Sequence, residues 1–242
     1  MAGHSKWANI KHRKGAQDAK RGKVFTRIIK EISVAAKEGG VDPETNPRLR
    51  TAIQNAKGAN MPKDTIERAI KKAADKDSAS YTEVTFEGYA ANGVAVFVEC
   101  ATDNNNRTVG NIRSYFSKNG GSLGTNGSLD FIFERKGFFI LELEKVKISL
   151  EELEMELIDS GLQVLENKSD CIELYTELCD FSNMQKKLEV MNIDVKSAEL
   201  RRIPNNKKKI DLEQSNLVLN LLQKLDDDDD VQSVFHNMEV VE

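Results

Sequence analysis

The chain has 242 residues, 39% hydrophobic and 31% charged, with 35 basic and 39 acidic side chains and a net charge of −4. At about 100–150 residues per domain that length allows two or three units, while no run approaches the roughly 18 apolar residues of a membrane span and the start lacks a signal peptide's apolar centre. Cys100, Cys171 and Cys179 are too few and too unevenly spaced for a disulfide framework or a zinc site, so a cytoplasmic protein with no metal and no membrane partner is expected.

Charge is distributed unevenly. Residues 1–76 hold 18 basic and 8 acidic side chains, net +10, and residues 77–242 hold 17 and 31, net −14. The first thirty residues carry Lys6, Lys11, Arg13, Lys14, Lys20, Arg21, Lys23, Arg27 and Lys30 against the single acid Asp18. Such a density repels itself unless a polyanion is near, so nucleic acid is the first partner to consider. Trp7, the only tryptophan, sits among Gly3, His4, Ser5, Lys6 and Asn9, the composition of a single-strand or RNA stacking site. A solvated basic tail and a tryptophan that anchors a core are the plainer alternative. The candidate nucleic-acid-binding set is Lys6, Trp7, Lys11, His12, Arg13, Lys14, Lys20, Arg21, Lys23 and Arg27, with Arg107 further along.

In chain order, residues 17–38 form an amphipathic helix, with Phe25, Ile28, Ile29, Ile32 and Ala36 on one face and Lys20, Lys23, Arg27 and Lys30 mostly on others. Gly39 and Gly40 stop it. Asn46 followed by Pro47 caps a second helix, with Leu49, Ala52, Ile53 and Ala56 inward. Pro62 opens a third, and the three predict a helical bundle over residues 1–76. After a linker near residues 75–80 the period changes. Glu83–Gly88 and Gly93–Ala101 are strands joined by a turn, residues 107–118 a helix, and Leu129–Phe133 a strand.

Residues 138–202 then read strand, helix, strand, strand, helix, strand, which is the βαββαβ order of a ferredoxin-like unit. Leu212–Leu225, a helix, and Val231–His236, a strand, are left over. They complete the earlier α+β unit if the second is inserted into it. The expectation is an α+β protein: an N-terminal helical bundle and two ferredoxin-like α+β domains, a discontinuous one at 80–134 with 206–242 and an inserted one at 135–205.

No catalytic constellation emerges, so no enzyme activity, cofactor or small-molecule substrate is expected. His4, His12 and His236 lack zinc spacing. Gly120–Gly127 (GGSLGTNG) lacks the lysine of a P-loop and fits a helix stop plus turn better than a phosphate cradle. Asp226–Asp230 lacks the glycine and distal glutamate of a calcium loop, and five acids after a helix C-terminus oppose its dipole. That run reads as a solvated loop or as an intramolecular decoy for the basic module. Asp103–Arg107 (DNNNR) is either an anion site at a helix start or an ordinary N-cap.

GHSKWANIKHRKGAQDAKRGKVF, NPRLRTAIQNAK, NMPKDTIERAIKK, FEGYAANGVAVFVECATDNNNRT, FSKNGGSLG, FERKG and DDVQSVFHN resemble the YebC family, which includes the mitochondrial translational activator of cytochrome oxidase. The likeness covers essentially the whole chain and is densest from Gly3 to Gly137. It departs at Ala90 and Ala91, where relatives have a more glycine- and proline-like turn, and at Asn105, where many have Arg. The resemblance implies three domains without enzyme activity, and one of two roles: a DNA-binding transcriptional regulator, or a ribosome-associated translation factor acting at proline-rich stretches. The helices show no clear base-reading face with a dimer seam. An extended basic arm of twelve residues, reaching about 40 Å, suits structured RNA.

Overall fold

A computed structural model describes residues 14–75 and 80–241, with the backbone alone for residues 14–20. Helix α1 (Lys14–Gly39) buries Ile32, Val34, Ala35 and Ala36 and ends where Gly40 turns to a positive φ of 86°. Asn46 caps α2 (Pro47–Gly58): its Oδ1 accepts from the Leu49 N–H at 3.0 Å, and its amide donates to the Ala35 and Gly40 carbonyls at 2.7 Å. One side chain thus ends one helix and starts the next. Helix α3 (Lys63–Ala74) turns Ile66, Ala69 and Ala73 inward.

The chain then forms β1 (Thr82–Tyr89) and β2 (Ala95–Thr102), an antiparallel hairpin turned by Asn92 and Gly93, whose φ values of 61° and 74° favour Asn and Gly. Helix α4 (Asn105–Lys118) leads to the two-residue strand β3 (Ser122–Leu123), which pairs with β1. Much later come α7 (Leu212–Asp227), opened by an Asp211/Gln214 capping box, and β9 (Val231–His236), which pairs with β2. The strand order is β3-β1-β2-β9. On one face α4 and α7 close a core of Val96, Val98, Cys100, Ile112, Phe116, Val218, Leu221 and Leu225. On the other, Ala95 and Phe97 pack with Leu129, Ile132 and Phe133. Central β2 is therefore covered on both sides, which is why it reads as an unbroken apolar run.

The intervening chain supplies β4 (Phe133–Glu142), α5 (Leu150–Ile158), β5 (Leu162–Asn167), β6 (Cys171–Glu177), α6 (Phe181–Val190) and β7 (Val195–Pro204). Their sheet has the order β5-β6-β4-β7, the arrangement that βαββαβ wiring produces. Its core holds Phe139, Leu141, Leu153, Leu157, Ile172, Leu174, Met184 and Leu188. A short parallel pair, β8 (Lys208–Ile210) with β10 (Met238–Val240), completes the chain.

These elements group into two compact units. Among the described residues, the first comprises residues 14–34, 75, 80–134 and 204–241, the second residues 35–74 and 135–203. Within the second, Asn55 of α2 mimics a strand: its amide donates to the Ala198 carbonyl and its Oδ1 accepts from the Ala198 N–H, both at 2.8 Å. This satisfies edge strand β7 with a side chain. The approach needs Gly58, where a Cβ would lie 1.8 Å from the Lys196 carbonyl oxygen.

The mixed α+β architecture stands, and the discontinuous sheet is wired ββαβ…αβ as the order of strands and helices in the sequence implies, with the five residues 90–94 joining β1 directly to β2. Two features differ from or add to expectation. Leu129–Ile132 forms turns instead of a strand, and Ser122–Leu123 takes the third place in the sheet. The β8–β10 pair joins residues about thirty positions apart, beyond the reach of local periodicity.

Candidate nucleic-acid interface

Of the candidate residues, Lys6, Trp7, Lys11, His12 and Arg13 lie outside the described residues. Lys14 and Lys20 fall in the opening turns of α1, where only the backbone is described. The Arg21 guanidinium lies 5.2 Å from the centroid of the Phe25 ring. Lys23, Arg27 and Arg107 are all engaged by carboxylates of the acid run Asp226–Asp230, which spans the C-terminal end of α7.

Lys23, Arg27 and Lys30 recur at i, i+4 and i+7 and share a stripe of α1. Lys23 Nζ lies 2.8 Å from Asp227 Oδ1. Arg27 donates to Asp226 Oδ1 and to the Asp226 and Val231 carbonyls, each at 3.0 Å. Lys30 is buried and uses all three of its donors, on the Ala101 carbonyl at 3.0 Å, the Asp229 carbonyl at 2.8 Å and Asp230 Oδ1 at 2.9 Å. The expectation that these cations take solvent-facing sides of the helix is corrected for Lys30, which is more buried than neighbouring Ile28 and Ile29. Apolar periodicity could not reveal a stripe buried by charge complementarity.

Asp230 is the centre of this region. Arg107 donates to it at 2.7 Å through Nη2 and at 3.2 Å through Nε, and Thr108 and Thr102 donate hydroxyls at 2.9 and 3.3 Å. Burial would raise its pKa, but the hydrogen bonds from Arg107, Lys30 and Thr108 prevail and hold it down at about 2. Arg107 is pushed up in turn, by its hydrogen bonds to Asp230 and Asp103. Asp228, also buried, accepts from the Tyr115 hydroxyl at 2.9 Å and from the Asp230 N–H. Burial, reinforced by these acids, pushes Tyr115 and the Cys100 thiol up to about 12. The solvated-loop reading of Asp226–Asp230 is therefore corrected: the run is a structural ligand for four cations.

Two other stretches resolve in the same direction. Asn104 Oδ1 accepts from the Arg107 N–H at 3.1 Å, so Asp103–Arg107 makes an ordinary N-cap whose arginine is committed to Asp230 and Asp103. In the glycine-rich loop, the Gly127 and Leu129 N–H groups donate at 2.6 and 2.7 Å to the carboxylate of Glu87, a residue that is 3% exposed. The loop does cradle an anion, one that β1 supplies.

Sequence reasoning missed Lys30, Thr102 and Thr108 as parts of a charged cluster. The available signal was five successive acids facing three cations at helical spacing, some two hundred positions apart. Among the described residues no His, Cys, Asp and Glu cluster could hold a metal, and no helix is long and apolar enough to cross a membrane.

A family model described as the TACO1/YebC protein N-terminal domain matches residues 5–76, and one described as the TACO1/YebC second and third domain matches residues 81–238. A probable transcriptional regulatory protein of Amoebophilus asiaticus is 51% identical over 240 residues, which is 98% of each chain. The probable transcriptional regulatory protein YrbC of Bacillus subtilis is 50% identical over 98% of this chain and 99% of its own. The crystal structure of a conserved hypothetical protein from Aquifex aeolicus matches with a TM-score of 0.84 and 41% identity, over 98% of both chains.

Proposed function

Because the chain belongs to the TACO1/YebC family, we propose that it is a non-enzymatic regulator of gene expression that works by binding nucleic acid in the cytoplasm, without cofactor or small-molecule substrate. The observation that carries this reading is the opening charge, nine cations against one acid in thirty residues of an otherwise acidic chain. Its relatives are named probable transcriptional regulatory proteins, which supports a DNA-binding transcriptional role.

The second reading is a ribosome- or rRNA-binding translation factor that relieves stalling at proline-rich stretches. It is favoured by the state of α1. Lys23, Arg27 and Lys30 are satisfied by the acid run, so this stripe of the helix does not present free donors to base edges in a major groove. First contact then falls to the cations upstream, which suits a phosphate-rich RNA surface.

Ribosome co-sedimentation across a salt titration, with promoter DNA as competitor, separates the two. A translation factor pellets with ribosomes and loses this on combining Lys11→Glu, Arg13→Glu and Lys14→Glu, while its duplex binding is weak and blind to sequence. A transcriptional regulator protects a duplex site and loses about 1 to 3 kcal/mol per mismatched base pair. Binding of neither polymer overturns the nucleic-acid reading.

A further inference from the structure

Among the described residues, three ion pairs between α1 and the acid run form a ladder whose rungs differ in exposure. The side chains of Lys30 and Asp230 are 8% and 6% exposed, those of Arg27 and Asp226 24% and 29%, and those of Lys23 and Asp227 22% and 54%. The inner rung is fixed from both sides, by backbone carbonyls on Lys30 and by Arg107 and Thr108 on Asp230. The outer rungs are more open to solvent, although Arg27 is also held by the Asp226 and Val231 carbonyls and Asp227 also accepts from Gln223 Nε2 at 2.8 Å. Solvent-accessible pairs contribute less to stability than enclosed ones and weaken with salt.

The acids also sit where a helix least favours them. Asp226 and Asp227 occupy the last turn of α7, at the negative end of its dipole. Cations from α1 offset that cost. To a Lys or Arg, a carboxylate and a phosphodiester are alike: anionic oxygens within reach of a charge-assisted hydrogen bond.

We propose that Asp226 and Asp227 are an intramolecular phosphate surrogate, a latch that holds Arg27 and Lys23 and yields them to a nucleic-acid backbone, while Lys30–Asp230 stays closed as the fixed end. The proposal rests on the nucleic-acid reading above and adds a built-in competitor to it. Release starts at Lys23, since Arg27 is also held by the Asp226 and Val231 carbonyls. As the latch opens, the freed carboxylates recruit cations from solution, so binding releases fewer counterions than the number of cations engaged implies.

The test measures binding of the full chain to a short single-stranded RNA, and to duplex DNA of the same sequence, over a range of salt concentrations. The latch variant is Asp226→Asn/Asp227→Asn. The control, Glu151→Gln/Glu154→Gln, removes the same charge from exposed positions of α5. The latch variant is expected to bind about three- to tenfold more tightly than the control, with a log–log salt slope steeper by about one to two. Adding Lys23→Gln/Arg27→Gln is expected to abolish the gain. Should the double variant not fold, Asp227→Asn alone, on the most exposed rung, is expected to gain about two- to threefold. A gain no larger than the control's, or one that persists without Lys23 and Arg27, overturns the latch and leaves the nucleic-acid reading standing. Failure of the parent chain to bind either polymer overturns both.

Discussion

Asp230 and Glu87 are both buried carboxylates in the first unit, yet they are held by opposite chemistry. Asp230 faces two cations, Lys30 and Arg107, and two hydroxyls. Glu87 faces the backbone N–H groups of Gly127 and Leu129, at 2.6 and 2.7 Å. The first arrangement joins segments far apart in sequence and balances charge. The second shapes one loop with neutral dipoles. Removing the anion should therefore cost more at Asp230, where it strands a buried ammonium, than at Glu87, where it strands N–H groups that a loop can reorient.

The largest effect is expected from Asp230→Ala, which leaves Lys30 buried without its counter-charge and should lose about 3–5 kcal/mol in urea unfolding. The same residue sets an acid limit. Its folded pKa of about 2 lies below the ordinary 3.8, so its contribution is complete above about pH 4 and is lost as the pH falls towards 2. An acid titration of Asp230→Asn should lack that part of the parent's slope, and an unchanged slope would contradict the assignment.

Glu87→Gln comes next. The carboxamide turns an NH2 towards one of two N–H donors, and the expected loss is about 1–3 kcal/mol by the same urea measurement. A loss as large as that of Asp230→Ala would show that the two carboxylates are not distinguished by the charge of their partners. The smallest effect belongs to Lys23→Gln, at the exposed end of the ladder: about 0–1 kcal/mol at low salt, vanishing at high salt. A cost that survives high salt would place Lys23 with the buried group.

Much of the local structure is legible in the residues. Asn46–Pro47 announces a helix start, the run through β2 announces a strand covered on both faces, and the leftover helix and strand after residue 210 point to a C-terminus that returns to the first sheet. The turn at Leu129–Ile132 was not legible, because its apolar residues look like a strand until Glu87 takes the N–H groups of the preceding loop. Nor was the fate of Arg107. From residues 103–107 alone a cap and an anion site look the same, and Asp230 decides between them.

Periodicity, capping residues and glycine placement act over a few positions, so the amino-acid order by itself determined where helices and strands begin, which faces are apolar, and that the opening segment is a concentrated positive charge. Which charge is already neutralised was decided only by the tertiary structure. Ion pairs such as Lys30–Asp230 join residues two hundred positions apart, and a Coulombic partner is defined by distance in space, on which neighbouring residues carry no information.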